Sequence, residues 1–470
     1  MEAYRRKGKE STKGGCTPTV DWCNAVWVTI NMLPDVALLK IFDFYVHHAQ
    51  TRAWLTLVHV CRKWRNVVFG SPRRLNLLLV CQARTPVRER IDAWPPLPIV
   101  VVGSGYETLR WGVDNIIAAL EHNDRIRKLE LKNFPSSQME KVIAAMEQPF
   151  PALEYLYLKQ GCEIGVVPAS FLGGSAPQLQ KLTLESIPFP RLPKLLLSTT
   201  HLIQLHLSYI PHAGYFSPEA IVTGLAELTS LEKLKIIFES PRSRPDRSRP
   251  PPPLTRTLLP ALTRFEFKGV SEYLDDLVSR IDAPLLDHLD IAFFHQLIFD
   301  TPQLTQFISR TPKFKPYDGA HVQFSDRRVW VSTIDQALRL TISCRQSDWQ
   351  LSSLAQVCGS NFIPAIEHLY IREDIYSSPS WKDDIETGQW LELLNRLTDV
   401  KDLRISSEFM PRIAPTLQEL IGGRVTEVLP ALQTLFLKGA LSSDVQETID
   451  KFVAARELAG HPIAVSRSKD

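Results

Sequence analysis

Eleven times between Ile126 and Leu437 an apolar residue is followed by two more, three and five places on, with polar residues between them. The copies are Ile126/Leu129/Leu131, Leu153/Leu156/Leu158, Leu179/Leu182/Leu184, Leu202/Leu205/Leu207, Leu231/Leu234/Ile236 and Leu262/Phe265/Phe267. They continue as Leu286/Leu289/Ile291, a weaker Ala337/Leu340/Ile342, Ile366/Leu369/Ile371, Val400/Leu403/Ile405 and Leu432/Leu435/Leu437. The last two positions of each copy alternate with polar neighbours, the period of a half-buried strand. Strands this short cannot stand alone, so the recurrence predicts a stack in which each covers the next. Middle positions fall from 23 residues apart (Leu182 to Leu205) to 34 apart (Leu369 to Leu403). The interval from Leu289 to Leu340 is longer, and within it Val322, Phe324, Val329 and Val331 flank Ser325-Asp326-Arg327-Arg328. That arrangement predicts a hairpin inserted into the array near residues 320–332.

Helical spacing recurs between the strands, over Val113–Glu121, Gln138–Met146, Glu272–Ile281, Trp349–Val357, Trp390–Leu397 and Val445–Leu458. Ser217-Pro218 and Thr301-Pro302 each place a capping hydroxyl before a proline suited to the first helical position. Strand alternating with helix gives an α/β class: an irregular leucine-rich-repeat horseshoe over residues 111–460, with a parallel inner sheet and helices outside. The runs Leu75–Cys81 and Leu97–Val102 read as strands capping its first edge, within residues 71–110. Ser240–Leu254 (SPRSRPDRSRPPPPL) predicts a projecting loop, with Ser240, Ser243 and Ser248 as possible phosphorylation positions. Residues 461–470 read as a C-terminal tail.

Residues 31–70 carry no strand pattern and form a separate module of two or three helices. Leu33-Pro34-Asp35 opens a helix with Leu38, Leu39, Ile41, Phe42 and Tyr45 at helical spacing. A second helix is expected from about Trp54 to Val68, with Leu57, Val58, Cys61 and Trp64 on one side. Leu33, Pro34, Leu38, Ile41, Phe42, Leu57, Val60 and Trp64 are more apolar residues than forty residues can hide, which predicts an exposed patch for another protein. The competing expectation is a patch packed on the first repeats.

Composition narrows the class. The 470 residues are 44% hydrophobic and 22% charged, with a net charge of +3, too small to imply a nucleic-acid partner. No apolar run approaches the roughly 18 residues of a membrane span. Seven scattered cysteines, an odd number, point to a reducing compartment, cytoplasmic or nuclear. Residues 1–30 begin with a basic cluster (Arg5, Arg6, Lys7, Lys9) lacking the apolar segment of a secretory signal, and are expected to be a disordered tail.

Catalytic motifs are missing. Val102-Gly103-Ser104-Gly105-Tyr106-Glu107-Thr108 begins like a dinucleotide-binding turn, but Thr108 stands where the third glycine belongs. No phosphate-binding loop, zinc-protease helix, nucleophile elbow or paired CxxC is present, so no catalytic residue, cofactor or metal is expected. The polar positions between the core leucines are instead biased toward cations. Lys181, Lys233, Lys235, Arg264, Lys268, Arg339, Arg372 and Arg404, with His206 and Tyr370, are expected on the exposed sheet face. An acidic or phosphorylated client segment would suit such a surface; lysine that blocks edge-to-edge aggregation is the alternative.

Leu33-Pro34-Asp35, Leu38, Ile41-Phe42, Leu57, Val60-Cys61, Trp64-Arg65 and Val68 resemble an F-box in order and spacing. From about residue 30 to 440 the chain is similar to the F-box proteins with leucine-rich repeats of mushroom-forming fungi. The resemblance implies that the module binds a Skp-type adaptor and through it a cullin-RING ubiquitin ligase, while the repeats select a client. The chain would then be the non-catalytic substrate-recognition subunit, with ubiquitin transfer carried out by its partners. His47-His48 to Arg52, Trp54 and the stretch from Gly14 to Thr29 depart from the usual box. A protein-interaction scaffold with a degenerate F-box is the alternative those departures leave.

Overall fold

A computed structural model describes residues 30–48, 53–70, 77–81, 86–93, 98–104, 112–161, 163–245, 255–294, 300–314, 318–345, 349–359, 366–374, 387–421 and 423–468. The basic N-terminal cluster, the turn at Gly105–Thr108 and Ser248 with its proline run lie outside these residues. The chain divides into two compact units, Met1–Leu75 and Asn76–Asp470.

The first unit holds α1 (Asp35–His48), α2 (Ala53–Val60) and α3 (Arg62–Gly70). The sequence predicts one helix where α2 and α3 stand. The break falls at Cys61, whose Sγ accepts the Trp64 backbone N–H at 3.4 Å while its carbonyl accepts that of Arg65 at 3.0 Å. Cys61 thereby serves as the N-cap of α3, the role more often filled by Ser or Asp. Arg65 Nε returns to the Val58 carbonyl at 3.0 Å and fixes the corner.

The second unit is built on strands β1 (Leu77–Val80), β2 (Ile99–Ser104), β3 (Ile126–Lys132), β4 (Tyr155–Lys159), β5 (Lys181–Glu185), β6 (Gln204–Ile210) and β7 (Lys233–Phe238). It continues through β8 (Thr257–Leu258), β9 (Arg264–Gly269), β10 (Ile281–Asp282), β11 (His288–Phe294), β12 (Gly319–Ser325), β13 (Arg328–Thr333) and β14 (Leu338–Ser343). It ends with β15 (His368–Glu373), β16 (Asp402–Ser406), β17 (Thr434–Lys438) and β18 (Ala464–Ser468). All but β8 and β10, which pair with each other, form one 16-stranded sheet. The helices are α4 (Val87–Ala93), α5 (Val113–Leu120), α6 (Ser136–Ala144), α7 (Leu192–Leu196), α8 (Pro218–Leu225), α9 (Ser271–Ser279) and α10 (Pro302–Arg310). After them come α11 (Trp349–Gly359), α12 (Thr387–Arg396), α13 (Met410–Leu420) and α14 (Ser443–Leu458).

From β3 to β11 each repeat strand places its paired apolar residues in register with the next; at β14 the cadence is displaced by two, since Leu338 and Leu340, not Leu340 and Ile342, stand opposite Leu289 and Ile291. Leu129, Leu156, Leu182, Leu205, Leu234, Phe265 and Leu289 form one continuous row. All are essentially inaccessible, as are Leu131, Leu158, Ile236, Phe267 and Ile291 beside them. Burying each such side chain contributes about 1.5–3 kcal/mol. The polar residues between them face the other side of the sheet, so an irregular leucine-rich-repeat fold follows from the cadence.

The inserted hairpin does more than decorate the array. Strands β12, β13 and β14 form an antiparallel meander, and the sheet order is β11-β14-β13-β12-β15. The repeat strand β14 pairs with β11 behind it, while β12 pairs with β15 ahead. Only β13 runs against the others, because a meander of three strands restores the original direction.

Other elements differ from the sequence reading. The segment over 71–110 contains α4 as well as its two strands, and β1 and β2 lead the main parallel sheet. Gly103 lies within β2, where a Cβ would come 2.9 Å from Phe134 Cζ and 3.0 Å from Leu131 Cδ2, so a larger residue would force these side chains to shift. Residues 464–468 are the last strand of the sheet rather than a tail, paired in parallel with β17. Ser243 is 2% exposed and is no candidate for modification in the folded chain. Ser217 caps α8 as expected, its Oγ accepting the Ala220 N–H at 3.2 Å. Thr301 does not cap α10 with its side chain; Asp275 Oδ1 accepts the Leu304 N–H there at 2.9 Å. No helix among the described residues is long and apolar enough to cross a membrane, and no cluster there could hold a metal ion.

Candidate functional site

Two surfaces carry the residues singled out by sequence, one in each unit. In the helical unit the apolar set divides. Leu38, Phe42 and Leu57 are buried with Leu39, Val58, Val67 and Val68, forming the module's own core. Trp64 packs on Phe42, ring centroids 4.7 Å apart, so it also belongs mainly to the fold. These residues are corrected from contact to core: three short helices can bury them internally, which residue counting did not foresee. Pro34, Ile41 and Val60 remain exposed, and Leu33 is half-buried. Ile41 is 43% and Val60 52% exposed, beside Val36 and Met32 at 62% and 59%. On α1, with about 100° of rotation per residue, Ala37 and Ile41 lie on the flank next to the Leu38/Phe42 side, and Tyr45 falls at the border between the two. Lys63 ties the entry to this surface, donating to the Leu33 carbonyl at 2.9 Å.

On the exposed sheet face the expected excess of cations is reduced by ion pairing, because carboxylates are interleaved with them. Glu130 pairs with Lys128 and Lys132 at 2.9 and 2.5 Å, and Lys159 with Glu185 at 2.8 Å. Lys235 pairs with Glu266 at 2.7 Å, and Arg339 with Asp290 at 3.7 Å. Partly exposed pairs contribute little stability, but they cancel the long-range field. Lys181, Lys233 and Arg264 occupy one row, with Gln204 between the two lysines, and form no ion pair among the described residues. His206 sits on the next row, its pKa lowered by burial and then by Lys235. Lys268 lies over the Phe294 ring at 5.1 Å, its pKa lowered by burial and then by Arg328.

The meander changes the relief of this face. A hollow of about 440 Å³ is lined by His321, Gln323, Trp330, Ser332, Gln336, Arg339 and Arg372. A second, of about 460 Å³, is lined by Ala320, His321, Ile334, His368, Leu369, Tyr370, Asp402 and Arg404. His321 is common to both and meets Tyr370 edge-on at 5.4 Å. Its pKa is lowered by burial, then by the Arg372 and Arg404 guanidiniums, which favours the neutral imidazole. Arg404 lies over Phe436 at 4.6 Å, and Asp402 is held by His368 Nδ1 at 2.7 Å.

Four of the residues named from sequence, Arg339, Tyr370, Arg372 and Arg404, therefore line two adjoining hollows. Lys181, His206, Lys233, Lys235, Arg264 and Lys268 do not; they lie on β5 to β9. Sequence reading missed His321, Gln323, Trp330 and Gln336. The signal was present, since His321, Gln323 and Trp330 alternate with the hairpin's core residues Val322, Phe324, Val329 and Val331.

No protein-family model matches the chain, and no curated protein matches it. Among solved structures, the crystal structure of the leucine-rich repeat-containing protein LegL7 from Legionella pneumophila matches over 80% of this chain and 97% of that one. The two share 11% identity, with a TM-score of 0.24.

Proposed function

We propose that the chain is a substrate-recognition subunit of a cullin-RING ubiquitin ligase, as its resemblance to F-box proteins with leucine-rich repeats implies. The helical unit binds a Skp-type adaptor, and the exposed sheet face of the repeats holds a client protein. The observation that supports the reading is the exposure of Ile41 and Val60 on a module in which Leu38, Phe42, Leu57, Val58 and Val68 are buried. Met32, Val36, Ile41 and Val60 are exposed apolar side chains of one small module, of the kind a partner's surface would cover. The repeat face supports the second half, offering charged, aromatic and concave relief for a macromolecular ligand. In this role the chain performs no chemistry itself, and ubiquitin transfer belongs to the ligase. Co-expression with a fungal Skp-type adaptor tests the reading: a complex that stays together through size exclusion is expected, and separate elution of two folded proteins would overturn it.

A further inference from the structure

The hollow at the meander is distinguished by its chemistry. Among the described residues that line it, seven in number, none is a carboxylate and two are arginines. Arg339 stands on β14 and Arg372 on β15, separated in the sheet by β13 and β12. At about 4.8 Å per strand, with Arg372 two residues further along its strand than the row of Arg339, their backbones lie some 16 Å apart, a span two arginine side chains can close over a group between them. Each guanidinium is held at the rim by a glutamine. Arg339 Nη2 donates to Gln336 Oε1 at 2.7 Å, and Arg372 Nη2 donates to Gln323 Oε1 at 3.1 Å.

This pairing has two effects. Amide oxygens orient the guanidiniums without cancelling their charge, as a carboxylate would, and each glutamine keeps its amide N–H groups for another acceptor. Gln336 also adopts a left-handed backbone with φ of 59°, which is disfavoured outside glycine and held here by the turn into β14. Ser332, Trp330 and His321 add a hydroxyl, an indole N–H and an imidazole to the lining. Asp290 reaches Arg339 only at 3.7 Å, from outside the lining. The hollow is rich in donors and poor in acceptors, with two cationic groups and a volume within the roughly 300–1,000 Å³ of small-ligand sites.

We propose that this hollow is a phosphate-monoester site, in which Arg339 and Arg372 clamp the phosphoryl oxygens and Gln323, Gln336 and Ser332 complete their hydrogen bonding. A phosphoryl group offers oxygens to both guanidiniums at once, Arg372 forming no ion pair among the described residues and Arg339 meeting Asp290 at 3.7 Å, whereas one carboxylate would supply too few acceptors. The inference deepens the assignment of this face to client binding and rests on it. The phosphate arrives either on a client peptide or as a free small molecule, and the chemistry of capture is the same.

The test uses the full chain and two kinds of probe. Fluorescent degenerate peptides bearing central phosphoserine, phosphothreonine or phosphotyrosine are titrated beside their unphosphorylated twins, and phenyl phosphate is titrated by phosphorus NMR. Arg339→Gln with Arg372→Gln is compared with Lys181→Gln with Lys233→Gln, both checked for native circular dichroism. The expected result is a preference of at least about tenfold for a phosphorylated probe, lost in the arginine variant and kept in the lysine variant. Preference among peptides identifies a client-borne group, and binding of phenyl phosphate alone identifies a small ligand. Equal binding of phosphorylated and unphosphorylated probes, or a preference that survives loss of both arginines, would overturn the site. Adaptor binding is measured separately, so either reading can fail without the other.

Discussion

Arg372 donates a hydrogen bond to Gln323 at 3.1 Å, although 49 residues separate them along the chain. The contact exists because β12, and not the later β14, lies beside β15. Sequence order alone would set β14 there, and the cadence, aligning Leu340 with Leu369, would put Ser343 in the place of Gln323. The insertion therefore replaces the neighbour that an uninterrupted array would give Arg372 and opens the relief in which the hollows form.

The meander should also carry the continuity of the array. Phe324 is fully buried on β12 and packs against Phe409, ring centroids 5.3 Å apart. Phe324→Ala is expected to cost about 3–5 kcal/mol. Urea unfolding checks this, with a lowered midpoint and a second transition expected as the repeats on either side of the meander lose their coupling.

Asp275 gives a pH signature. Burial raises its pKa to about 6, against the opposing pull of the Leu304 and Gln303 backbone N–H groups at the start of α10. A carboxyl with a raised folded pKa contributes stability that is complete below its unfolded value near 3.9 and lost as pH rises through about 6. Asp275→Asn keeps an acceptor for Leu304 without the charge. It should be more stable than the parent at pH 7.5, by about 1 kcal/mol after allowing for solvent screening, and the advantage should fade toward pH 4. Thermal melts across that range read the difference.

Cys81 and Cys344 are buried thiols whose pKa values burial pushes up to about 12 and about 11. Thiolate is the reactive form, so both should resist iodoacetamide at pH 8 in the native chain and react once it is unfolded in urea. Mass spectrometry of the labelled peptides distinguishes the two states.

The repeat strands were legible because their leucines must alternate to be buried, and Leu129, Leu131 and their counterparts needed no tertiary information to be placed. Helix α13 is absent from the helical patterns read in the sequence: it holds Pro411 in its first turn and Pro415 inside it, and packing of Ile413, Leu417 and Leu420 sustains it. Strand β18 was missed since Ala464-Val465-Ser466-Arg467-Ser468 has little apolar content and owes its form to pairing with β17. At the site, Arg339 and Arg372 were visible as cations, but their convergence depends on strand order, which local pattern does not encode. The carboxylates that neutralise other cations were visible too; register shows which charges they meet.

In the helical unit, core and surface should respond differently. Phe42→Ala removes a fully buried ring from a small core and should unfold the module, with a loss of about 3–5 kcal/mol. Ile41 and Val60 can be changed without that penalty, and Ile41→Glu with Val60→Glu should leave its circular dichroism intact. Proteolysis of the two variants under native conditions separates them: the first should be cut within α1 to α3, the second not.

The most direct measurement is a calorimetric titration of the full chain with a purified Skp-type adaptor, run beside the Ile41→Glu, Val60→Glu variant. Submicromolar binding by the parent and a loss of at least about a hundredfold in the folded variant are expected if these side chains enter the interface. Equal affinity for both proteins, or no heat of binding from the parent, would contradict the assignment of the helical unit as the ligase-binding module.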